Sequence, residues 1–207
     1  MKYIFVAGAP GSKWSSVVKN IYYSPDIDRS DYRDHWTYYH DASGTWDLMH
    51  LGAYFDPGME CDIPENLQGM RRGELEELFD EPFAPEIQGR RIIKSHVFCN
   101  NIDYLKSEFP EIPIVLVHRG DDACLGWWVK CGHFDITYPS YQKHYCDLRT
   151  MAKIIAQQNA GLDAAWWGRL GQEAVNNQAL CKILNISPPP EEYQQNYVKA
   201  DVRVRVI

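Results

Sequence analysis

The opening of the chain restricts its fold most: residues 2–7, KYIFVA, are a short apolar run that stops in Gly8-Ala-Pro-Gly11. Apolar residues broken by Gly and Pro read as a buried strand leaving into a loop. Beyond the loop, Val17, Val18 and Ile21 stand at helical spacing, and Ser12 or Ser15 is placed to cap the helix they mark. The chain thus opens strand-loop-helix between Tyr3 and Tyr22.

Further along, residues 90–94 (RRIIK) and 112–118 (IPIVLVH) read as two more strands, the second the clearest buried strand in the chain. Helices are expected at 70–80, 102–109, 121–131, 147–160 and 162–185, with Asp121 and Asp122 suited to a first turn. Residues 24–70 are rich in aromatics and turn formers and read as a long excursion outside the sheet, of the kind that forms lids and binding loops. The tail 188–207 ends in VRVRVI, an alternating stretch that either adds an edge strand or stays disordered. Strands separated by helices give a parallel sheet covered on both faces, and ligands of such sheets bind at the strands' carboxyl ends. The expectation is a single α/β domain, 1–207.

The chain has 207 residues, enough to bury a core without disulfides or metals. Its formal net charge of -7 argues against nucleic acid as a partner, while a few local cations suffice for a small anion. No run of 18 apolar residues is present, so no membrane span is expected. The N-terminus does not read as a signal peptide, so a reducing, cytoplasmic location is expected. The aromatic share of 13% fits either an aromatic-lined pocket or a bulky core. The six cysteines form no CxxC pair. Cys131, His133, His144 and Cys146 could converge on zinc only if their flanks were strands, so buried, unreactive thiols are the better reading and no metal is expected.

Three motifs fall at expected strand ends. In Gly8-Ala-Pro-Gly-Ser-Lys-Trp-Ser-Ser16 the glycines allow close backbone approach to an anion, and the helix start offers N–H groups and a favourable dipole. Lys13 adds charge, and Ser12, Ser15 and Ser16 add hydroxyls. This is not a nucleotide loop of the G-x4-G-K-[ST] type: Ser12 stands where the second Gly belongs, and Trp14 replaces the magnesium-holding hydroxyl. The strand ending at Val117 continues into His-Arg rather than an Asp, so both halves of a kinase or ATPase metal site are missing. In Lys94-Ser95-His96, a His just past a strand end suits a general base, and the nearby cation suits a developing negative charge. In Val115-Leu-Val-His-Arg119, the terminal Arg suits a bidentate phosphate contact or an ion pair with Asp122.

In order and spacing, these motifs resemble the sulfotransferase family, which moves a sulfuryl group from PAPS (3'-phosphoadenosine 5'-phosphosulfate) and releases PAP. Pro10-Gly-Ser12 is similar to the family's 5'-phosphosulfate loop, Lys94-Ser95-His96 to its K-[TS]-H motif, and Val115–Arg119 to its 3'-phosphate strand. The likeness covers about residues 3–23 and 90–130. It implies a three-layer, P-loop-nucleotide-binding-like α/β fold with a long irregular insertion after the first helix. It implies His96 as catalytic base, with Lys13 and Lys94 stabilising charge. Cofactor contacts would come from Ala9, Pro10, Gly11, Ser12, Lys13, Trp14, Ser15, Arg119 and the position of Trp127. The acceptor would be a hydroxyl or amine of a small molecule or carbohydrate, with no metal. The chain departs from the family in placing Gly11 where a Lys or Arg precedes the loop serine, and Trp127 where a serine shares the 3'-phosphate. It also lacks the later glycine-and-basic motif, for which Arg203 or Arg205 could compensate. A non-catalytic nucleotide binder of the same fold is the main alternative, and an ATP-dependent kinase a lesser one.

Overall fold

The computed structural model describes residues 1–31, 51–57, 61–86, 89–130, 146–193 and 201–207. Its strands are β1 (Tyr3–Gly8), β2 (Ala53–Tyr54), β3 (Arg91–Ser95), β4 (Ile114–His118), β5 (Gln172–Glu173) and β6 (Arg203–Val206). Its helices are α1 (Trp14–Tyr22), α2 (Arg72–Asp80), α3 (Ile102–Glu108), α4 (Asp121–Lys130), α5 (Leu148–Gly168) and α6 (Asn177–Leu184). The strands form one sheet in the order β2-β3-β1-β4-β6-β5.

Every residue of β1 is buried, because the sheet is covered on both faces. Ile4 and Val6 enter one core with Val17, Val18 and Ile21 of α1 and Leu180 and Leu184 of α6. Tyr3, Phe5 and Ala7, pointing the other way, enter a second core with Leu75 and Phe79 of α2 and Leu105 of α3. The Phe5 ring is central there, with centroids 5.5 Å from Phe79, 5.5 Å from Phe98 and 5.3 Å from Phe109, all edge-on or nearly so. Helix α5 serves both cores: Met151 and Ile155 join the first, Leu162 and Trp166 the second.

Strands β2, β3, β1 and β4 are parallel, but β6 runs antiparallel to both β4 and β5, so the sheet is mixed rather than wholly parallel. The chain's route explains this. Helix α6 ends where the Leu184 carbonyl accepts from Arg90, at the amino edge of β3. Strand β6 nevertheless begins opposite His118, at the carboxyl edge of β4, and a strand entering there must run down against its neighbour. The C-terminal alternation is therefore an ordered interior strand. Val204 and Val206 are buried, while the Arg203 and Arg205 guanidiniums lie 4.9 and 5.7 Å from the Trp166 ring on the opposite face.

Two other expectations change. Ala53 and Tyr54 pair with Ile93 and Lys94, so part of the 24–70 excursion belongs to the sheet as its edge; residues 32–50 and 58–60 lie outside the described residues. The expected helix break near residue 161 falls instead between Gly168 and Asn177, where β5 intervenes. Gly161 does not interrupt α5, because its missing side chain is what lets the helix lie on the 97–100 turn: a Cβ there would come 2.3 Å from the Cys99 carbonyl oxygen.

At the amino edge of the sheet the buried Arg91 guanidinium pairs with Asp28 at 3.2 Å and Asp80 at 2.6 Å and donates to the Ala84 carbonyl. Among the described residues no helix is long and apolar enough to cross a membrane.

Candidate functional site

The carboxyl ends of β3, β1 and β4 lie side by side, because these strands are consecutive neighbours and parallel. The Gly8–Ser16 loop, Lys94–His96 and Arg119 therefore leave the sheet along one edge. Two hydrogen bonds join them. His96 Nδ1 donates to the Gly8 carbonyl, and Arg119 Nη1 donates to the Gly11 carbonyl at 3.2 Å and to the Ala123 carbonyl at 2.9 Å.

The loop is tightly wound. Ser12 N–H donates to the Ala9 carbonyl at 3.0 Å, and Gly11 sits at φ 80° with its Cα against α4. A Cβ on Gly11 would come 2.1 Å from the Cys124 carbonyl oxygen, so this glycine admits the backbone of α4. Gly8 is likewise enclosed: a Cβ there would lie 2.7 Å from Ser12 Oγ. Neither serine caps α1. Lys13 is the N-cap, in the left-handed conformation at φ 62°, and it forms no side-chain cap bond. Ser12 is fully buried, and its hydroxyl has no hydrogen-bond partner among the described residues. Ala9 and Pro10 are buried, whereas Lys13, Ser15 and Ser16 are partly exposed. The Lys13 ammonium lies 4.0 Å over the Trp127 ring, and Lys130 lies 5.6 Å from the same ring.

Trp14, the first residue of α1, stacks on His96 with centroids 4.0 Å apart and planes within 10°. Tyr54 meets both rings edge-on, at 5.3 Å from Trp14 and 5.6 Å from His96. His96 is thereby only 4% exposed, and burial holds its pKa below the usual imidazole value against the opposing pull of Asp56. Because the Gly8 carbonyl can only accept, Nδ1 carries the ring proton and Nε2 keeps the lone pair.

Lys94 is fully buried. Its ammonium nitrogen lies 5.6 Å from the Trp14 ring and 5.8 Å from the Tyr54 ring, with no hydrogen-bond partner among the described residues. Burial pulls its pKa down to about 7, while Asp31 works the other way. Asp31 is itself pushed up to about 6 by burial, against the Tyr22 hydroxyl it accepts from at 3.1 Å.

Asp56 is a member of this site that sequence reasoning missed. Its carboxylate accepts from Tyr54 Oη at 2.6 Å, from Ser95 Oγ at 3.2 Å and from His96 N–H at 3.1 Å, and lies 3.9 Å from His96 Nε2. The signal was present in Ala53-Tyr-Phe-Asp-Pro57: an apolar stretch ending in Asp-Pro, which parallel pairing with β3 sets beside Ser95 and His96. Asn159 was also missed. Its amide donates to the Arg119 carbonyl at 2.9 Å and to Asp121 at 2.6 Å, tying α5 to the end of β4.

Arg203 and Arg205 each bond to a partner outside the loop. Arg203 donates to His118 Nδ1 at 3.1 Å, and Arg205 donates to the Arg169 carbonyl at 3.2 Å. Cys61, Cys99, Cys124 and Cys181 are buried as expected, but Cys146 is exposed; Cys131, His133 and His144 lie outside the described residues. Among the described residues no group of three His, Cys, Asp or Glu side chains is placed to hold a metal ion.

No family model, curated protein or solved structure matches the chain.

Proposed function

We propose that the chain is a PAPS-dependent sulfotransferase of the P-loop-nucleotide-binding-like type, acting on a hydroxyl or amine of a small-molecule or carbohydrate acceptor. One observation carries the reading: the loop, Lys94–His96 and Arg119 leave three neighbouring parallel strands at one edge and are hydrogen-bonded to one another through Gly8 and Gly11. A carboxyl edge with a loop and helix start is where α/β sheets take phosphorylated ligands. The side chains fit an anionic nucleotide, since Lys13, Ser15 and Arg119 are all partly exposed around the start of α1.

In the proposed reaction the acceptor oxygen or nitrogen attacks sulfur in line. The bond from sulfur to the bridging phosphosulfate oxygen breaks, PAP leaves with that electron pair, and the acceptor proton passes to His96 Nε2. The Gly8 carbonyl fixes the tautomer that leaves Nε2 able to accept, and Asp56 stands ready to stabilise the imidazolium. Lys13, released from Trp127, would meet charge on the departing oxygens, with Lys94 contributing when protonated.

The test is transfer of labelled sulfate from PAPS to a panel of sugars, phenols and amines. His96→Asn is the informative variant, because its amide can still donate to Gly8 while Nε2 is lost. The expected result is a fall in turnover of about 100-fold or more with PAP affinity kept; unchanged turnover would remove His96 from the chemistry.

A second reading is favoured by the burial of His96 under Trp14. On it, the fold binds the nucleotide but has closed the base away from any acceptor. PAP binding with no transfer to any member of the panel would select it.

A further inference from the structure

Helix α5 reaches the end of β4 with one buried amide. The Asn159 side chain, 3% exposed, donates to the Arg119 carbonyl at 2.9 Å and to Asp121 Oδ1 at 2.6 Å. A carbonyl and a carboxylate only accept, so the NH2 group must face both, giving one proton to each. The Cys124 thiol donates to the same Arg119 carbonyl at 3.3 Å. The main chain at Arg119 is thus held from α5 and from α4 together. The hold is firm, because α5 lies directly on the 97–100 turn at Gly161.

The bond to Asp121 matters for charge. Asp121 and Asp122 open α4, and the Arg119 guanidinium lies against that same turn, where Nη1 donates to the Ala123 carbonyl at 2.9 Å. It also donates to the Gly11 carbonyl of the loop at 3.2 Å. A carboxylate of this turn that swung onto the guanidinium would make a charge-assisted pair, stronger than a bond to a neutral carbonyl. It would also cancel the charge that an incoming anion needs. Asn159 holds the Asp121 carboxylate on the α5 side instead. Asp163, further along α5, is likewise occupied, by His118 Nε2 at 3.4 Å and Arg203 at 3.8 Å.

We infer that Asn159 is a positioning residue for Arg119: it fixes the main chain of the arginine and keeps the Asp121 carboxylate from neutralising the guanidinium, so that this edge offers a cation to anionic ligands. The inference deepens the proposed site and rests on that reading only for the identity of the anion, a nucleotide phosphate.

Calorimetric titration with PAP and with inorganic pyrophosphate, alongside the Arg119 Nε–H signal by NMR, tests it on the wild-type chain, Asn159→Ala, Asp121→Asn and the double variant. Asn159→Ala should weaken both anions about tenfold and shift the Arg119 signal. Adding Asp121→Asn should restore affinity to within about threefold and return the signal, which a merely structural role for Asn159 would not do. Asp121→Asn alone should leave affinity within about threefold of wild type, because its carboxylate is already held away. Asp121 is exposed, so this variant tests the inference even if Asn159→Ala unfolds the chain. A loss in Asn159→Ala that Asp121→Asn does not restore, or that Asp122→Asn restores instead, would overturn it. So would a gain of about tenfold or more in Asp121→Asn alone. If neither anion binds the wild-type chain, the nucleotide reading falls and the Arg119 signal decides the inference: a shift that returns in the double variant sustains it, and an unmoved signal overturns it.

Discussion

The Trp14 indole lies flat on the His96 imidazole, 4.0 Å between centroids, joining the first residue of α1 to the residue that follows β3. This contact both orients the ring and removes it from water. It predicts that His96 titrates below an ordinary histidine and that Trp14→Ala raises its pKa toward about 6.5. Since the folded value is the lower one, the stability His96 contributes is present above the unfolded pKa and is lost as pH falls through the folded value. Ring nitrogen NMR reads both the pKa and the Nδ1–H tautomer; a pKa unmoved by Trp14→Ala would show that the indole is not what buries the ring.

Lys94 makes the converse case for a cation. Its folded pKa of about 7 lies well below the unfolded value, so between those two pH values the unfolded chain binds more protons. Stability should therefore rise with pH from about 7 toward about 10. Lys94→Met is expected to stabilise the fold at pH 7 by on the order of 2 kcal/mol, with the gain shrinking as the pH approaches 10. Urea denaturation at pH 7 and pH 9.5 checks this. A pH-independent gain, or a loss, would mean that the ammonium finds compensation when folded.

Gly11→Ala should be severe for two reasons that add: φ of 80° and a Cβ 2.1 Å from the Cys124 carbonyl oxygen. A loss of about 3 kcal/mol or more is expected, because α4 must move off the loop. Gly126→Ala, whose Cβ would meet nothing within 4 Å on the same helix, should instead gain up to about 1 kcal/mol. Similar outcomes for the two variants would refute the packing described for the loop.

Much of this was legible in the residues and some was not. The strands β1, β3 and β4 declare themselves as apolar runs, and their shared carboxyl edge follows from parallel order alone. The direction of β6 did not, because VRVRVI fixes the alternation of faces while its partner strand is set by a distant part of the chain. Gly161 looked like a helix break because its use, contact with Cys99, is made 62 positions away. For the same reason Trp14 over His96, and Asp56 beneath it, required the fold before they could be seen.

At the other edge of the sheet, Arg91→Met should cost about 3–5 kcal/mol, since it strands the buried Asp28 carboxylate and breaks the tie to Asp80. Thermal denaturation measures the loss. Nucleotide affinity of the fraction that remains folded should be unchanged; a selective loss of affinity would place Arg91 in communication with the site.

If the edge formed by the loop, Lys94–His96 and Arg119 takes a 3'-phosphorylated adenine nucleotide, as proposed, calorimetric titration with PAP, set against ADP with and without magnesium, will show it. Tight PAP binding indifferent to magnesium and at least tenfold weaker ADP binding are expected, with the preference for PAP lost in Arg119→Ala. ADP binding that requires magnesium and equals or exceeds that of PAP would contradict it.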